Sequence, residues 1–190
     1  MPSWSRIARR IRVPLGFAFA VLYVWLARPT VLSIIVGGAI AAVGVLIRAL
    51  ASGHVKKNAE LTMTGPYAYS RNPLYVGSIV IGIGFGVAAL SWWIALGLLV
   101  LFLAIYIPVI RSEEAFLRSQ FAEFDDYCRR VPRFIGIVHG TKVTDGNQEG
   151  HPQGAFSREL YLQHREYNAA LGTLAMLLVL AAKLLWLMKR

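Results

Sequence analysis

The 190-residue chain is poor in charge: 16% of its residues are Asp, Glu, Lys or Arg, against about 25% in soluble domains. That shortage excludes an ordinary water-facing surface. There is one cysteine, Cys128, so no disulfide can close within the chain and no cysteine metal cluster can be built. Cys128 reads as a bystander on an amphipathic helix. A signal-peptide cleavage site is missing as well. Arg6, Arg9, Arg10 and Arg12 form a basic start, yet no small-residue site follows the next apolar run. The first helix is therefore expected to be retained. No internal repeat stands out.

What the chain has in quantity is apolar sequence. Its hydrophobic fraction is 56% and its mean hydropathy +0.53. Crossing a bilayer takes about 20 apolar residues. Residues 14–27, 31–50, 74–90, 92–110 and 169–188 supply five such runs, the first of them short. The expectation is an all-α, polytopic membrane protein, a single membrane domain over residues 1–190 with about five spans. The net charge of +10 raises nucleic acid as a partner, but its distribution argues against it. With the amino terminus in the cytosol, 16 of the 20 Lys and Arg residues fall on the cytosolic side; Arg28, Lys183, Lys189 and Arg190 do not. This is the positive-inside pattern. It predicts a protein of a prokaryotic inner membrane, in contact with membrane lipid. The outer connections are only Arg28-Pro29-Thr30 and Ser91. The longer polar segments, residues 51–72 and 111–168, share the inner face, and chemistry is expected there.

The third and fourth runs form a tight helical hairpin. Pro73 suits a first helical position, where its missing N–H costs nothing. Gly82 and Gly86 have the spacing that lets membrane helices approach closely. The Gly-x-Gly-x-Gly run over residues 82–86 lacks the strand and the acidic residue of a soluble nucleotide loop, so close helix packing is the reading. From Ser112 onward, Phe116, Leu117, Phe121 and Phe124 recur at helical spacing between charges. This predicts a new amphipathic helix with Ser112 as its N-cap and Glu113 and Glu114 in its first turn. Residues 136–154 read as a polar, Gly-rich loop. Residues 156–167 are expected to form a polar helix running into the last span, where Lys183 is expected to snorkel.

The chemistry concentrates in residues 61–77, LTMTGPYAYSRNPLYVG, a polar and aromatic collar ahead of the third span. Thr64-Gly65-Pro66-Tyr67 is a turn. Tyr69 suits an interfacial aromatic belt. Asn72 and Pro73 sit at a helix amino end, which suits a carboxylate. The antiparallel hairpin returns Glu113 and Glu114 to the same depth. Adjacent helical residues point about 100° apart, so one carboxylate is expected to meet a ligand's ammonium and the other to cap. Arg129, Arg130 and Arg133 carry guanidinium forks suited to carboxylate or phosphate. His54, leaving the second span, is a hydrogen-bonding candidate.

In combination these segments resemble the isoprenylcysteine carboxyl methyltransferase and phospholipid methyltransferase family. The resemblance covers about residues 53–134. It is carried by Leu61, Thr64, Gly65, Tyr67, Arg71, Pro73, Tyr75, Gly77, Glu113, Glu114, Tyr127, Arg130 and Pro132. The chain departs from the family at Asn72, where His is usual; Asn keeps the hydrogen bonds but cannot titrate. The resemblance implies a membrane enzyme that uses S-adenosylmethionine in a pocket at the cytosolic face. A lipophilic substrate, carboxylate or amine, would enter from the lipid. Leu61, Gly65, Tyr67, Asn72, Pro73, Tyr75, Glu113 and Glu114 would then line the cofactor site, and no metal is needed. Tyr67 and Tyr75 can pack on the adenosyl group or on the sulfonium. Arg130 or Arg133 would orient a carboxylate acceptor. An amine acceptor would need a base such as His54, His164 or Glu166. The alternatives are an NADPH-dependent membrane reductase of the sterol-reductase type and a non-catalytic membrane protein.

Overall fold

A computed structural model describes residues 16, 18–55, 60–134 and 156–189, and every regular element among them is helical. The basic residues at positions 6–12, Lys56 and Lys57, and the Gly-rich segment lie outside the described residues. Helix α1 covers residues 18–26. It is followed by α2 (Val31–Ser52), a 3₁₀ turn (Gly65–Ala68), α3 (Pro73–Ala89), α4 (Trp92–Leu101), a π turn (Phe102–Tyr106), α5 (Ile107–Gln120), α6 (Phe124–Arg130), α7 (Arg158–Gln163) and α8 (Tyr167–Met188). Three helices are long and apolar enough to cross a membrane: Val31–Ser52, the continuous Trp92–Gln120, and Tyr167–Met188. These are the second, fourth and fifth expected spans. Pro73–Ala89 is apolar but shorter.

Helix α2 starts on a reciprocal cap. Thr30 Oγ1 accepts from the Ser33 N–H, and the Thr30 N–H donates to Ser33 Oγ. The same serine hydroxyl reaches across to the Ala88 carbonyl at 3.0 Å, fixing α2 against the far end of α3. Between these ends the two helices touch through glycine. A Cβ added at Gly37 would lie 2.4 Å from the Gly84 carbonyl, and one at Gly84 2.5 Å from the Gly37 carbonyl; Gly44 and Gly77 meet the same way at 2.6 and 2.7 Å. These four glycines make the close approach. A Cβ at Gly82 or Gly86 meets nothing within 4 Å. The expected role of Gly82 and Gly86 is thereby corrected: they are on another face of α3.

The hairpin turns at Leu90, whose φ of +46° closes α3 in the left-handed region. The return helix does not stop at Ile110. It runs unbroken from Trp92 to Gln120, so Ser112 caps nothing, and Glu113 and Glu114 sit mid-helix rather than in a first turn. The irregularity falls earlier, at the π turn, where the Ile107 N–H bonds the Phe102 carbonyl five residues back. Pro108 explains it, since proline brings no N–H to the carbonyl four residues before it. Phe124, Tyr127 and Val131 then fold back onto Leu61 and Met63 of the collar.

The segment from Phe156 on is also interrupted. Helix α7 ends at Gln163 and Arg165 takes φ +53° before α8 begins, so the helix expected to continue into the last span is broken. Lys183 does not snorkel. Its ammonium donates to the carbonyls of Val24, Trp25 and Ala27 at 2.6, 3.0 and 2.6 Å, capping the carboxyl end of α1, where a cation is favoured.

Candidate functional site

The collar, the hairpin's return helix and the segment after α6 meet at one carboxylate. Glu114 is buried, with 6% of its surface exposed. Arg133 grips it with Nη2 to Oε2 at 2.6 Å and Nε to both oxygens at 3.1 Å. Asn72 Nδ2 donates to Oε1 at 3.2 Å, and Arg71 Nη1 lies 3.4 Å from the same oxygen. This carboxylate holds Arg133 protonated beyond the ordinary arginine range. Breaking such a node exposes buried charge, so it specifies one arrangement of its three segments.

Backbone bonds reinforce it. The Arg71 N–H donates to the Pro132 carbonyl at 2.9 Å. Ser70 Oγ and Asn72 Nδ2 both donate to the Arg133 carbonyl, and Ser70 Oγ accepts from the Asn72 N–H. Asn72 precedes α3 but makes no side-chain cap, because its amide is turned to Glu114. On the other side the Tyr127 hydroxyl donates to the Tyr67 carbonyl at 2.7 Å. Arg71 also points Nη1 at Cys128 Sγ, 2.7 Å away, so the lone cysteine touches the node.

A second polar node lies beside the first. Arg48, in α2, makes a two-pronged pair with Glu166 at 2.8–3.0 Å. Its remaining nitrogen reaches Ser78 Oγ at 2.5 Å and the Leu74 carbonyl at 3.3 Å, both in α3. Tyr67 lies between the two. Burial pushes its phenol pKa well above the usual range, and the charges of Glu113 and Glu166 push the same way while Arg48 opposes them. Glu113 itself is exposed.

Each expected site residue has a definite place. Glu114, Asn72 and Arg133 form the first node, with Pro73 opening α3 beside it. Tyr67 is buried between the nodes, and Tyr75 sets its ring edge-on to Tyr106 at 5.6 Å. Gly65 has φ +58°, and an added Cβ would strike the His54 ring at 2.4 Å. His54 is thus packed over the turn, its Nδ1 2.7 Å from the Leu50 carbonyl. Leu61 packs under α6. Arg130 is apart from this set, its Nε donating to the Asp126 carbonyl of its own helix. Tyr69, 65% exposed, fits a belt residue. Arg48 and Ser78 were not singled out, although an arginine inside the apolar run of α2 is a sequence signal for a buried partner.

Parts of the chain are similar to known proteins. Over 80 residues, 42% of this chain, it is 45% identical to the nickel-cobalt-cadmium resistance protein NccN of Alcaligenes xylosoxydans xylosoxydans and covers 38% of that protein. It is 40% identical over 80 residues to the cobalt-zinc-cadmium resistance protein CzcN of Cupriavidus metallidurans, covering 37% of it. The chain thus spans less than two fifths of the length of these curated relatives. Among the described residues no group of three or more His, Cys, Asp or Glu could hold a metal ion. No solved structure matches the chain. The family model described as phospholipid methyltransferase matches residues 15–123, more than half of the sequence. The match takes in the collar, the hairpin and Glu114, and the chain belongs to the phospholipid methyltransferase family.

Proposed function

We propose that the chain is a membrane methyltransferase that moves a methyl group from S-adenosylmethionine to a lipophilic acceptor at the collar face, with that face and the amino terminus in the cytosol of a prokaryotic cell. The observation that carries this reading is the Glu114 node. It ties the collar, the hairpin and the Arg133 segment into one rigid wall, beside which Glu113, Tyr67 and the start of α3 stand together. The donor supplies an already activated methyl, so the protein's contribution is alignment and exclusion of water.

The residues present fit such a donor. Glu113, exposed at the rim, suits its ammonium. The amino end of α3 at Asn72–Pro73 favours its carboxylate. Tyr67 and Tyr75 offer ring faces to the adenosyl group or the sulfonium. Glu114 now has a positioning role, because its oxygens are engaged by Arg133, Asn72 and Arg71. In transfer, the acceptor's lone pair forms the new bond to the methyl carbon, and the sulfur keeps the electron pair of the bond that breaks.

The acceptor's charge is the finer question. The two arginines expected to orient a carboxylate are engaged, Arg133 by Glu114 and Arg130 by its own helix. The groups around Tyr67 include Glu113 and Glu166, with His54 and His164 on the same side. This favours an acceptor that gives up a proton, such as an amine, over a carboxylate. Glu166 is held by Arg48 through both oxygens and Glu113 is given to the donor's ammonium, so the proton would pass to Nε2 of His54 or His164, whose Nδ1 faces a carbonyl. Titration calorimetry with S-adenosylhomocysteine on the detergent-purified protein tests the reading. Saturable binding is expected; heat-free titration together with an unmoved melting temperature would overturn it. NADPH in a parallel titration separates the reductase alternative.

A further inference from the structure

Tyr67 stands on the 3₁₀ turn of the collar, and its backbone is firmly held. Its N–H donates to the Thr64 carbonyl at 3.2 Å. Its carbonyl accepts from the Tyr127 hydroxyl at 2.7 Å, and Gly65, at φ +58°, backs onto the His54 ring. The residue is only 9% exposed. Buried tyrosines usually give their hydroxyl a partner, as Tyr23 and Tyr127 do. The Tyr67 hydroxyl has none among the described residues. Among those residues the only fully buried side-chain nitrogen or oxygen without a partner is Arg71 Nε. The unpaired Tyr67 oxygen is therefore not sealed in: it reaches open space at the tip of a covered side chain. A hydroxyl that is fixed, accessible and unpaired is available to a ligand.

The charges around this oxygen select the ligand. Glu113 on α5 and Glu166 ahead of α8 are both close enough to act on the phenol. Arg48 on α2 opposes them, but it is engaged by Glu166, Ser78 and the Leu74 carbonyl. Carboxylates favour a neighbouring ammonium and disfavour another carboxylate. Burial and the same carboxylates keep the phenol protonated, so it suits orienting a nucleophile and not taking up its proton.

We propose that the Tyr67 hydroxyl is the specificity-determining contact for the methyl acceptor: its oxygen accepts an N–H from a primary or secondary amine on a lipophilic molecule, and methylation stops at the tertiary amine. This rests on the methyltransferase function above and names the acceptor's chemistry within it. With one N–H held at Tyr67, the nitrogen lone pair stays free. That pair forms the bond to the methyl carbon, and the sulfur keeps the pair of the broken C–S bond. The new ammonium then gives one proton to an imidazole named above. A primary amine passes through this sequence twice. The tertiary amine that results has no N–H in its nucleophilic form, and a site built to hydrogen-bond an N–H discriminates against a ligand that lacks it.

The test uses the full chain in detergent micelles with labelled S-adenosylmethionine and three single-chain acceptors: dodecylamine, N,N-dimethyldodecylamine and dodecanoate. Wild-type protein should carry dodecylamine to the N,N-dimethyl product, form little quaternary ammonium and leave dodecanoate unmodified. Tyr67→Phe removes only the hydroxyl. It should lower kcat/KM for dodecylamine about tenfold and leave the slow rate with N,N-dimethyldodecylamine where it was. A merely structural loss would lower both rates together. Equal losses on the two amines, or no loss on either, would overturn the proposal. So would accumulation of quaternary product or preferred transfer to dodecanoate by the wild type, which needs no variant to fold. Calorimetry with S-adenosylhomocysteine separates the two readings. Wild-type protein that binds it yet methylates no amine would remove this proposal and leave the methyltransferase standing, whereas absent binding would remove both.

Discussion

Glu113 and Glu114 are chemically identical neighbours in opposite surroundings, and the tasks proposed for them rest on that difference. Glu114 has both oxygens engaged inside the protein, whereas Glu113 is exposed at the rim beside Tyr67. Replacing Glu114 with Gln removes a charge facing two guanidiniums. Arg133 is 41% exposed and can turn to water, but Arg71 is only 14% exposed and cannot. The expected cost is about 2 kcal/mol, below the 3–5 of a fully buried pair, read as a lower unfolding midpoint. Glu113→Gln, at the exposed rim, should lower that midpoint less than Glu114→Gln does and weaken S-adenosylhomocysteine binding about tenfold, near 1.4 kcal/mol. The buried tyrosines give a pH signature. Burial raises the pKa of both Tyr67 and Tyr127 above the ordinary 10.0, so the folded state keeps protons that the unfolded chain releases above that pH. Their stabilisation is complete below pH 10 and falls as pH rises further. Melting temperatures should drop from pH 9 to 11, and Tyr127→Phe should flatten that drop. The sequence showed that two carboxylates return to the collar. It did not show which points inward, because that depends on the phase of a helix that begins at Trp92 and not at Ser112.

Among the elements, the α2–α3 pair is set by backbone contact. At Gly84 an added Cβ meets the Gly37 carbonyl at 2.5 Å and the Ala41 N–H at 2.6 Å, neither of which can rotate away. Gly84→Ala must therefore push the helices apart, at an expected 2 kcal/mol or about that. Gly82→Ala, into open space, should be neutral or slightly stabilising, since Ala is the better helix former by about 1 kcal/mol. Reversible unfolding in mixed micelles, run on both variants, checks the contrast; equal losses would put the contact on the wrong face. The hairpin itself was legible from its length, its Pro73 start and its apolar content. The packing face was not, because α3 carries glycines on more than one side and only the partner helix distinguishes them. The π turn was equally hidden, although Pro108 in mid-helix was a visible cause.

For the whole molecule, the decisive contacts join residues far apart in sequence, which is why local pattern could not find them. Arg48 and Glu166 are 118 positions apart, and their pair fastens α2 to the start of α8. Around it the Ser157 N–H bonds the Gly53 carbonyl, Phe156 covers Gly53, and His164 Nδ1 lies 3.1 Å from the Ser52 carbonyl. The carboxyl-terminal segment, beyond the family match, thereby brings the charge of Glu166 close enough to act on the Tyr67 phenol. If this clamp is a desolvated ion pair, the two residues must be energetically coupled. Their side chains are 23% and 13% exposed, so Arg48→Met should cost about 2–3 kcal/mol by stranding Glu166. Glu166→Gln should cost less, because Arg48 keeps Ser78 Oγ and the Leu74 carbonyl. The double variant Arg48→Met/Glu166→Met leaves no stranded charge and should be less destabilised than the sum of Arg48→Met and Glu166→Met, with a coupling of 1 kcal/mol or about that. Unfolding midpoints across the four proteins of that cycle decide it. Simple additivity would mean that water already screens the pair, and the carboxyl-terminal segment would then be held by the Gly53 and Ser52 contacts alone.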